Sequence, residues 1–427
     1  MESVTNIFDE LNWRGLINQS SDPSGLKQRV NTPITTYAGF DPTADSLHIG
    51  NLIPLIALMR FQKLGHHAIA VAGGGTGLIG DPSGKDEERK LSQSEIVADW
   101  TNRIKGQLEH FLDFNSNVNP AKLVNNYDWI SEYNLIEYLR DIGKYFTVNW
   151  MLAKDSVKMR VDREDVGISY TEFSYMIIQA LDFLHLKKKY NCELQIGGSD
   201  QWGNMTAGME LIKRKLSADS YCMTFPLILT SSGKKFGKTE KGTIWLDAER
   251  TTPYQFYQFW LNTTDEDVTR FLKYFTFLTK ETIDEFETKT KKQPQLREAQ
   301  KALGKEMTIM AHGESEYEKA IAASKILFEG SSIKEANKET ILTLFKSMEY
   351  TEIELNENIG LVDLLIKTNL CKSKREARQD IENGAIYLNS EKIKETEAII
   401  SKDNFVLGHY LILRRGQKNN QLVKLKV

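Results

Sequence analysis

The amino-acid sequence predicts an α/β protein with a doubly wound parallel sheet, followed by an α-helical domain and a small α+β domain. Apolar strand patterns alternate with helical patterns over the first 230 residues, as in parallel sheets. Residues 252–327 then show helical spacing with few strand signals, and residues 359–427 read as two short helices followed by strands. The 427 residues, 41% hydrophobic and 26% charged, suffice for two or three globular domains.

The first domain contains predicted helices and strands that alternate along the chain. Strands are predicted over 34–40, 68–72, 123–125, 193–196 and 224–229. Helices are predicted over 4–18, 51–64, 171–190 and 206–216, and a further helix is predicted to begin at the capping box Ser92-x-x-Glu95. This alternation requires crossover connections, which favour a parallel sheet.

Changes of pattern set the predicted domain boundaries. The sheet domain covers 1–247 and the helical domain 248–327. A Lys- and Glu-rich stretch, 328–358, is predicted to be a linker, and the terminal domain covers 359–427.

Composition excludes several classes of protein. No run approaches the roughly 18 apolar residues of a membrane span, and the first residues lack a secretory pattern. The three cysteines contain no Cys-x-x-Cys pair, which argues against a disulfide framework and a zinc site. The net charge is −3, yet residues 359–427 hold 13 Lys and Arg against 8 Asp and Glu, so a polyanion partner is predicted. We expect a cytoplasmic protein.

A phosphate site is predicted at His48-Ile49-Gly50-Asn51. These residues lie between the first strand of the sheet and the following helix. A helix N-terminus at the carboxyl end of a parallel strand offers unpaired N–H groups, and Gly50 allows close approach of a ligand. His48 can donate to a phosphate oxygen.

A second basic segment follows the last predicted strand. Lys235 and Lys238 lie three residues apart, with Thr239 beside them, in a loop rich in serine and glycine. Such lysines can neutralise the charge that develops when pyrophosphate leaves a triphosphate. A solvated basic turn is the alternative for this segment taken alone.

Polar residues occupy positions where a buried core is expected. Tyr37, Gly39 and Asp41 project from one face of an extended strand. Tyr175, Gln179 and Asp182 lie at i, i+4 and i+7 of a predicted helix, the spacing of a buried stripe. Buried polar groups need partners, and a polar ligand would supply them.

The two basic segments resemble the His-Ile-Gly-His and Lys-Met-Ser-Lys-Ser signatures of the class I aminoacyl-tRNA synthetases. Further segments, YAGFDPT at 37–43, GLIGDPSG at 77–84 and GGSDQWGN at 197–204, resemble those of the bacterial tyrosyl-tRNA synthetases. The resemblance covers nearly the whole chain. It implies a Rossmann-like catalytic domain, a helical anticodon-stem domain and a C-terminal S4-type RNA-binding domain.

By this resemblance, each candidate residue receives a role. Asp182 and Tyr37 would bind the hydroxyl of a substrate tyrosine, while Tyr175, Gln179 and Asp81 bind its ammonium group and Gln201 lies near its carboxylate. The residues expected to line ATP and the adenylate are Gly39, Asp41, Thr43, His48, Gly50, Asn51, Gly198 and Asp200. Lys235, Lys238 and Thr239 would contact pyrophosphate, in a mobile loop over 231–243. His48, Thr43, Lys235, Lys238 and Thr239 would be the catalytic residues.

The resemblance also implies the reaction and its partners. The tyrosine carboxylate would attack the α-phosphate of ATP, giving tyrosyl-adenylate and pyrophosphate, and the tyrosyl group would then pass to the 3′ end of tRNA(Tyr). Mg²⁺ would accompany ATP, and no structural metal is expected. A homodimer is expected, with its contact over 128–165.

Three positions depart from the family pattern. Asn51 stands where the first signature usually ends in His, and Ala38 occupies a position that is often Cys. Phe236-Gly237 replaces Met-Ser in the second signature. Two other functions stay open on the sequence, a tryptophanyl-tRNA synthetase and a non-catalytic RNA-binding relative.

An RNA contact is predicted in the terminal domain. Lys372, Lys374, Arg375 and Arg378 cluster around one short predicted helix. Such residues favour phosphate contacts that give affinity with little base selectivity. A solvated basic face is the alternative.

Overall fold

The computed structural model describes residues 6–83, 92–154, 157–158, 161, 167–231, 233, 236–239, 242–329, 331–354, 358–416 and 419–426. The chain forms two compact units. The first contains 1–247 and 264–299, and the second contains 248–263 and 300–427. No helix within the described ranges is long and apolar enough to cross a membrane.

The first unit is built on a six-stranded sheet whose order is β1-β6-β5-β2-β3-β4. Strands β2 to β6 run parallel to their neighbours in this sheet, and β1 pairs with β6 in the antiparallel direction. The strands are β1 (Gln19–Ser20), β2 (Thr35–Phe40), β3 (His67–Ala72), β4 (Lys122–Asn125), β5 (Cys192–Gly198) and β6 (Tyr221–Phe225). The predicted doubly wound parallel sheet is confirmed.

Helices connect these strands and cover the sheet. They are α1 (Ile7–Trp13), α2 (Pro23–Arg29), α3 (Leu52–Lys63), α4 (Thr76–Ile79), α5 (Ser94–Phe111), α6 (Tyr127–Ile130), α7 (Leu135–Asp141), α8 (Val148–Leu152), α9 (Tyr170–Tyr190) and α10 (Trp202–Leu216). A 3₁₀ turn, Ile49–Asn51, leads into α3. Helix α9 ends at Asn191, whose left-handed backbone is a common helix terminator.

The core of the first unit lies between the sheet and α9. Tyr37, Ile69 and Val71 from the strands pack with a long series of α9 side chains, including Phe183 and Leu184. Burying apolar side chains of this size contributes about 1.5–3 kcal/mol each. Helix α9, which carries the polar stripe, is therefore held against the sheet by its remaining residues.

Two predicted details of this unit are wrong. The helix near 92 begins at Ser94 after Gln93, whose side chain makes no cap, so the capping box of Ser92 and Glu95 does not form. The last strand spans 221–225 rather than 224–229, because Pro226 lacks the N–H that a continuing ladder needs.

A helical pair that the sequence places in a separate helical domain packs within the first unit. These helices are α12 (Asp265–Phe275) and α13 (Lys280–Lys292), and they follow α11 (Pro253–Leu261), which belongs to the second unit. The buried Arg60 of α3 donates to the carbonyl oxygens of Tyr274 at 3.0 Å and Thr276 at 2.7 Å. These bonds fix the C-terminal end of α12 on the first unit.

The second unit continues with helices and ends in a mixed sheet. Its remaining helices are α14 (Glu298–His312), which begins in the first unit, α15 (Glu314–Ser324), α16 (Lys338–Ser347), α17 (Leu361–Lys367) and α18 (Lys374–Glu382). A two-stranded hairpin in the first unit, β7 (Lys238–Thr239) and β8 (Gly242–Thr243), precedes α11. The later strands are β9 (Tyr350–Ile353), β10 (Ile359–Gly360), β11 (Ile386–Leu388), β12 (Glu391–Lys392), β13 (Ile399–Ile400), β14 (Tyr410–Arg415) and β15 (Asn419–Leu425).

The predicted linker, 328–358, contains regular structure. Asn337 caps α16, whose Ile341, Leu344 and Phe345 are buried among the helices of this unit. Strand β9 then joins the sheet of order β12-β11-β14-β15-β9, where it runs parallel to β15. The linker prediction is therefore wrong over these two elements, because their burial depends on partners distant in the sequence.

Candidate functional site

A pocket of about 480 Å³ opens at the carboxyl ends of β2, β3 and β5. This is where ligands bind in open α/β sheets, because the loops that follow the strands leave a crevice there. Fourteen of the predicted site residues line it, namely Tyr37, Gly39, Asp41, Thr43, His48, Gly50, Asn51, Asp81, Tyr175, Gln179, Asp182, Gly198, Asp200 and Gln201. The structure therefore brings together residues spread over more than 160 positions of the chain.

Asp182 is buried in this pocket and carries two hydrogen bonds. Trp129 donates through Nε1 to Oδ1 at 2.8 Å, and Asn126 donates through Nδ2 to Oδ2 at 2.9 Å. The Trp129 ring in turn stacks on His185 at 4.3 Å between centroids. Burial raises the pKa of Asp182 to about 7, although the two donors act in the opposite direction.

Tyr37 lies in the same part of the pocket with its hydroxyl group unpaired. The side chain is 1% exposed, its ring packs on Phe183 at 5.3 Å, and no partner for its hydroxyl occurs among the described residues. Burial first, and then the nearby charge of Asp182, raises the pKa of Tyr37 well above its usual value. A buried hydroxyl without a partner costs about 1–3 kcal/mol, so a ligand atom that pairs with it gains affinity.

A chain of hydrogen bonds connects Asp41, which follows β2, with the polar stripe of α9. Tyr175 donates its hydroxyl to Asp41 at 2.7 Å, and Thr76 donates to the other oxygen of Asp41 at 2.6 Å. Asn126 donates to Thr76 at 2.9 Å and also reaches the carboxylate described above. Gly73 makes this arrangement possible, since a Cβ atom there would lie 2.0 Å from Oδ1 of Asp41.

A second polar cluster surrounds Asp81. Gln201 donates through Nε2 to its Oδ2 at 2.5 Å, while Asn204 and the backbone N–H of Ser83 donate to its Oδ1 at 3.3 and 3.0 Å. Gln179 lines the same pocket from α9. The cluster places one carboxylate and two amides within one wall of the cavity.

Two glycines keep backbone open to the pocket. A Cβ atom on Gly39 would meet nothing within 4 Å, so this strand position faces open space. At Gly198 a Cβ atom would lie 2.5 Å from Oδ1 of Asp200. A side chain at Gly198 would therefore displace the Asp200 carboxylate.

The first signature forms a capped turn. His48 accepts through Nδ1 from the backbone N–H of Gly50 at 3.0 Å, and Asn51 accepts through Oδ1 from the backbone N–H of His48 at 3.0 Å. The neutral His48 ring therefore carries its proton on Nε2, the tautomer that can donate to a phosphate oxygen. A Cβ atom on Gly50 would lie 2.7 Å from the His48 ring, so glycine is required here. Asn51 takes the place of the usual His and closes this cap.

The second signature packs against the first. Gly237 has φ +83°, and a Cβ atom there would lie 2.8 Å from Cγ1 of Ile49. The N–H of Ile49 donates to the carbonyl of Ile244 at 3.1 Å, just after β8. Lys235 lies outside the described residues, as do the side chains of Lys238 and Thr239, whose backbone forms β7. Their predicted contacts with pyrophosphate stay predictions.

Sequence reasoning missed several polar residues of the pocket. Gln195 faces Tyr37 across the β2–β5 pairing, is 3% exposed, and has an Oε1 atom without a partner among the described residues. A polar residue within an apolar parallel strand is a usable signal. Asn126 follows β4, where the carboxyl-end rule would also have found it. No feature of the sequence marked Trp129 as a residue of the pocket.

The predicted RNA contacts lie on exposed positions. Lys372, Lys374, Arg375 and Arg378 are exposed at and just before α18. Lys374 pairs with Asp363 at 2.6 Å, so part of its charge is already compensated.

Comparisons with known proteins agree with the geometry. A family model described as tRNA synthetases class I (W and Y) matches residues 28–329, and a model described as Tyrosine--tRNA ligase SYY-like C-terminal domain matches residues 340–423. Tyrosine--tRNA ligase 1 of Bacillus subtilis is 51% identical over 426 residues, covering 99% of this chain and all of the relative. Tyrosine--tRNA ligase of Geobacillus stearothermophilus is 50% identical, covering 98% of this chain and 99% of the relative.

A solved structure shows the same fold. The crystal structure of a C-terminally truncated mitochondrial tyrosyl-tRNA synthetase from Aspergillus nidulans has a TM-score of 0.70 and 31% sequence identity. The match covers 77% of this chain and 95% of that chain.

Proposed function

Because the chain belongs to the bacterial-type tyrosyl-tRNA synthetases of class I, we propose that its pocket of about 480 Å³ is where tyrosine reacts with ATP. Members of this family activate tyrosine with ATP and ligate it to tRNA, and this is the activity of the chain. The resemblance drawn from the motifs is confirmed. The roles of individual residues are the subject of the proposal.

The phenol of the substrate is assigned to the buried end of the pocket. The observation that carries this assignment is the hydroxyl of Tyr37, which has no partner among the described residues and lies in a pocket that Asp182 also lines. The phenol donates to Asp182 and accepts from Tyr37. Phenylalanine would leave both groups unpaired, which is costly, and the handling of phenylalanine by this enzyme class is a standard example of such discrimination. The same pair argues against tryptophan, whose indole N–H can only donate.

The ammonium group of tyrosine is assigned to Tyr175, Gln179 and Asp81. Because Tyr175 donates its own proton to Asp41, its oxygen is oriented to accept from the substrate. Burial first, together with Asp41 and Asp81, raises the pKa of Tyr175 well above its usual value, so it stays a neutral phenol. Gln201, already bound to Asp81, places its amide for the substrate carboxylate. Gln195 is added to these residues because its Oε1, which has no partner in the described part of the chain, can accept from the ammonium group.

ATP is assigned to the opposite end of the pocket. His48 donates through Nε2 to a phosphate, Gly50 and Asn51 bring the start of α3 beside it, and Thr43 lines the same wall. Gly39, Gly198, Asp41 and Asp200 lie where the adenosine and adenylate would fit. A helix N-terminus favours negative charge, so this end stabilises the phosphates.

The chemistry then needs positioning and charge stabilisation rather than a protein nucleophile. The tyrosine carboxylate attacks the α-phosphate, and pyrophosphate leaves towards the segment that carries Lys235, Lys238 and Thr239. The described residues contain no cluster of three or more His, Cys, Asp or Glu that could hold a metal. Mg²⁺ is therefore proposed to arrive on the ATP phosphates, whose charge it neutralises, as is common for nucleotide sites.

The partners complete the proposal. Transfer to tRNA(Tyr) would use the terminal domain for RNA contacts. A homodimer is supported by exposed apolar side chains within the predicted contact 128–165, among them Leu135 and Ile136, each 69% exposed. With tRNA, ATP and tyrosine as substrates, we place the protein in the cytoplasm, which cell fractionation can check.

The test is amino-acid-dependent ATP–pyrophosphate exchange with tyrosine, phenylalanine and tryptophan. The native protein should exchange with tyrosine alone. Tyr37→Phe should lower kcat/KM for tyrosine about tenfold, the value of one hydrogen bond, and leave any residual rate with phenylalanine unchanged. Tyr254→Phe, which removes a buried tyrosine hydroxyl from the second unit, is the matched control.

Several outcomes would contradict the proposal. ATP–pyrophosphate exchange that depends on tryptophan and not on tyrosine would make tryptophan the substrate. No exchange with any amino acid would favour a non-catalytic RNA-binding protein. If Tyr37→Phe lowered kcat/KM equally for tyrosine and for phenylalanine, Tyr37 would not contact the phenol hydroxyl of the substrate.

A further inference from the structure

Helix α12 holds the chain just before the lysine segment, which is defined here as residues 232–235. Asp267, in the first turn of α12, accepts through Oδ2 from the backbone N–H of Ser231 at 3.0 Å and from its hydroxyl at 3.1 Å. The side chain of Asp267 is only 5% exposed. Hydrogen bonds to a carboxylate that is shielded from water are stronger than those at the surface.

The same helix holds the chain just after the lysine segment. The Phe236 ring packs on Phe271 at 4.8 Å and on Phe275 at 5.3 Å between centroids. Asp267, Phe271 and Phe275 are spaced at i, i+4 and i+8, so they share one face of α12. Ser231 and Phe236, which flank the lysine segment in the sequence, are therefore both held by one face of α12.

A third contact strengthens this attachment. Arg270 donates through Nη2 to the carbonyl oxygen of Leu229 at 2.7 Å and also pairs with Asp267. Leu229 lines the pocket. The carboxylate thus orients a guanidinium that binds the chain two residues before Ser231.

The helix α12 is itself tied to the first signature. Arg60 of α3 and Arg14, just after α1, both donate to the carbonyl oxygen of Thr276, at 2.7 and 3.0 Å. Helix α3 begins at the turn of His48 and Gly50. One path of contacts therefore runs from the phosphate end of the pocket along α3 to α12, and from α12 to Ser231 and Phe236.

We propose that Asp267 is a positioning residue for adenylate formation, which fixes the chain entering the lysine segment relative to the His48–Asn51 turn. This inference rests on the proposed function. Asp267 acts through Ser231 and Arg270, and it touches neither substrate. Lys235, which this segment carries, stabilises charge that develops late, so a loosened attachment lowers the rate of activation while tyrosine binding persists.

Asp267 also has a structural part in its helix, which the test must separate. Thr264 caps α12 by accepting from the N–H of Asp267 at 3.3 Å, and any acid in this first turn stabilises the helix dipole. Glu266 is the matched control, because it is an exposed acid in the same turn. Glu266→Ala removes the same charge from the helix terminus without removing the carboxylate that binds Ser231.

The experiment measures single-turnover tyrosyl-adenylate formation, the equilibrium Kd for tyrosine and the melting temperature for each variant. Asp267→Ala should slow adenylate formation about tenfold, with the tyrosine Kd within about twofold of the native value. Asp267→Asn keeps an oxygen acceptor for Ser231 and should recover most of the rate. Ser231→Ala, which keeps the backbone bond, should cost less than Asp267→Ala, and Glu266→Ala should leave the rate unchanged.

Three results would overturn the inference. These are an unchanged rate in Asp267→Ala, an equal loss in Glu266→Ala, or a tyrosine Kd that worsens as much as the rate. If Asp267→Ala does not fold, Ser231→Ala decides the matter, and a native rate of adenylate formation in Ser231→Ala overturns the inference. A native protein without tyrosine-dependent exchange would instead refute the proposed function.

Discussion

The affinity for tyrosine should fall as the pH drops from 8 to 6. Burial raises the pKa of Asp182 to about 7, so the carboxylate is charged above this pH and gains a proton below it. The phenol of tyrosine donates to the ionised carboxylate. A protonated Asp182 brings a second O–H into the same contact and loses the charge that strengthens the hydrogen bond.

The size of the effect follows from this pKa. If only the ionised form binds, Kd is multiplied by one plus ten to the power of the pKa minus the pH. The factor is about 1.1 at pH 8 and about 11 at pH 6, so Kd should rise about tenfold, or about 1.4 kcal/mol.

Equilibrium dialysis of tyrosine without ATP, at pH 8 and pH 6, measures this ratio. Asp182→Asn is the control, because its side chain cannot titrate while the rest of the protein and the ligand are unchanged. The variant should bind weakly with a Kd that differs little between the two values of pH. A native ratio no larger than that of the variant, or tighter native binding at pH 6, would refute the reasoning.

Two further predictions concern the proposed partners. Replacing Arg375 and Arg378 together by Glu should raise the KM for tRNA severalfold through lost phosphate contacts, while tyrosine-dependent pyrophosphate exchange stays unchanged; equal charging kinetics would contradict the RNA contact. Ile136→Glu places a charge among the exposed apolar side chains of α7 and should shift the sedimentation coefficient from dimer towards monomer. Ile96→Glu, at an apolar residue of α5 that is 40% exposed and lies outside that stretch, is its control, and a native protein that sediments as a monomer would refute the dimer.

The parallel sheet was predictable because its signals are local. Apolar strands followed by loops and helices specify their own conformation, and β2 and β3 begin and end within one residue of the prediction. The error in β6 came from counting apolar residues beyond Pro226. Leu227 and Leu229, 60% and 46% exposed, lie outside the sheet and line the pocket.

The packing of α12 could not be predicted from its own residues. Its amphipathic pattern shows that one face is buried, yet the pattern does not say against which partner. Arg60, which binds the end of this helix, lies more than 200 positions earlier in the chain. Such a contact becomes visible only when the fold is known.

The candidate site also has a part that could be predicted from the sequence and a part that could not. The polar stripe of α9 indicated a ligand because polar residues stand at positions where a core helix normally has apolar ones. The two signatures indicated a ligand because their residue types are not expected together by chance. The groups that hydrogen-bond to Asp182 were harder to recognise from the sequence. Trp129 looks like any core aromatic residue, and only the structure shows its Nε1 bonded to the carboxylate.

The pairing of β9 with β15 has a consequence for protein synthesis. Tyr350 pairs with Leu422 and Ile353 with Leu425, so β9 leaves the ribosome long before its partner has been made. Pairings so distant in sequence form slowly and late. During elongation the nascent chain therefore presents an unpaired strand edge, and a chain released before residue 419 is made keeps this exposed edge, which is a template for aggregation.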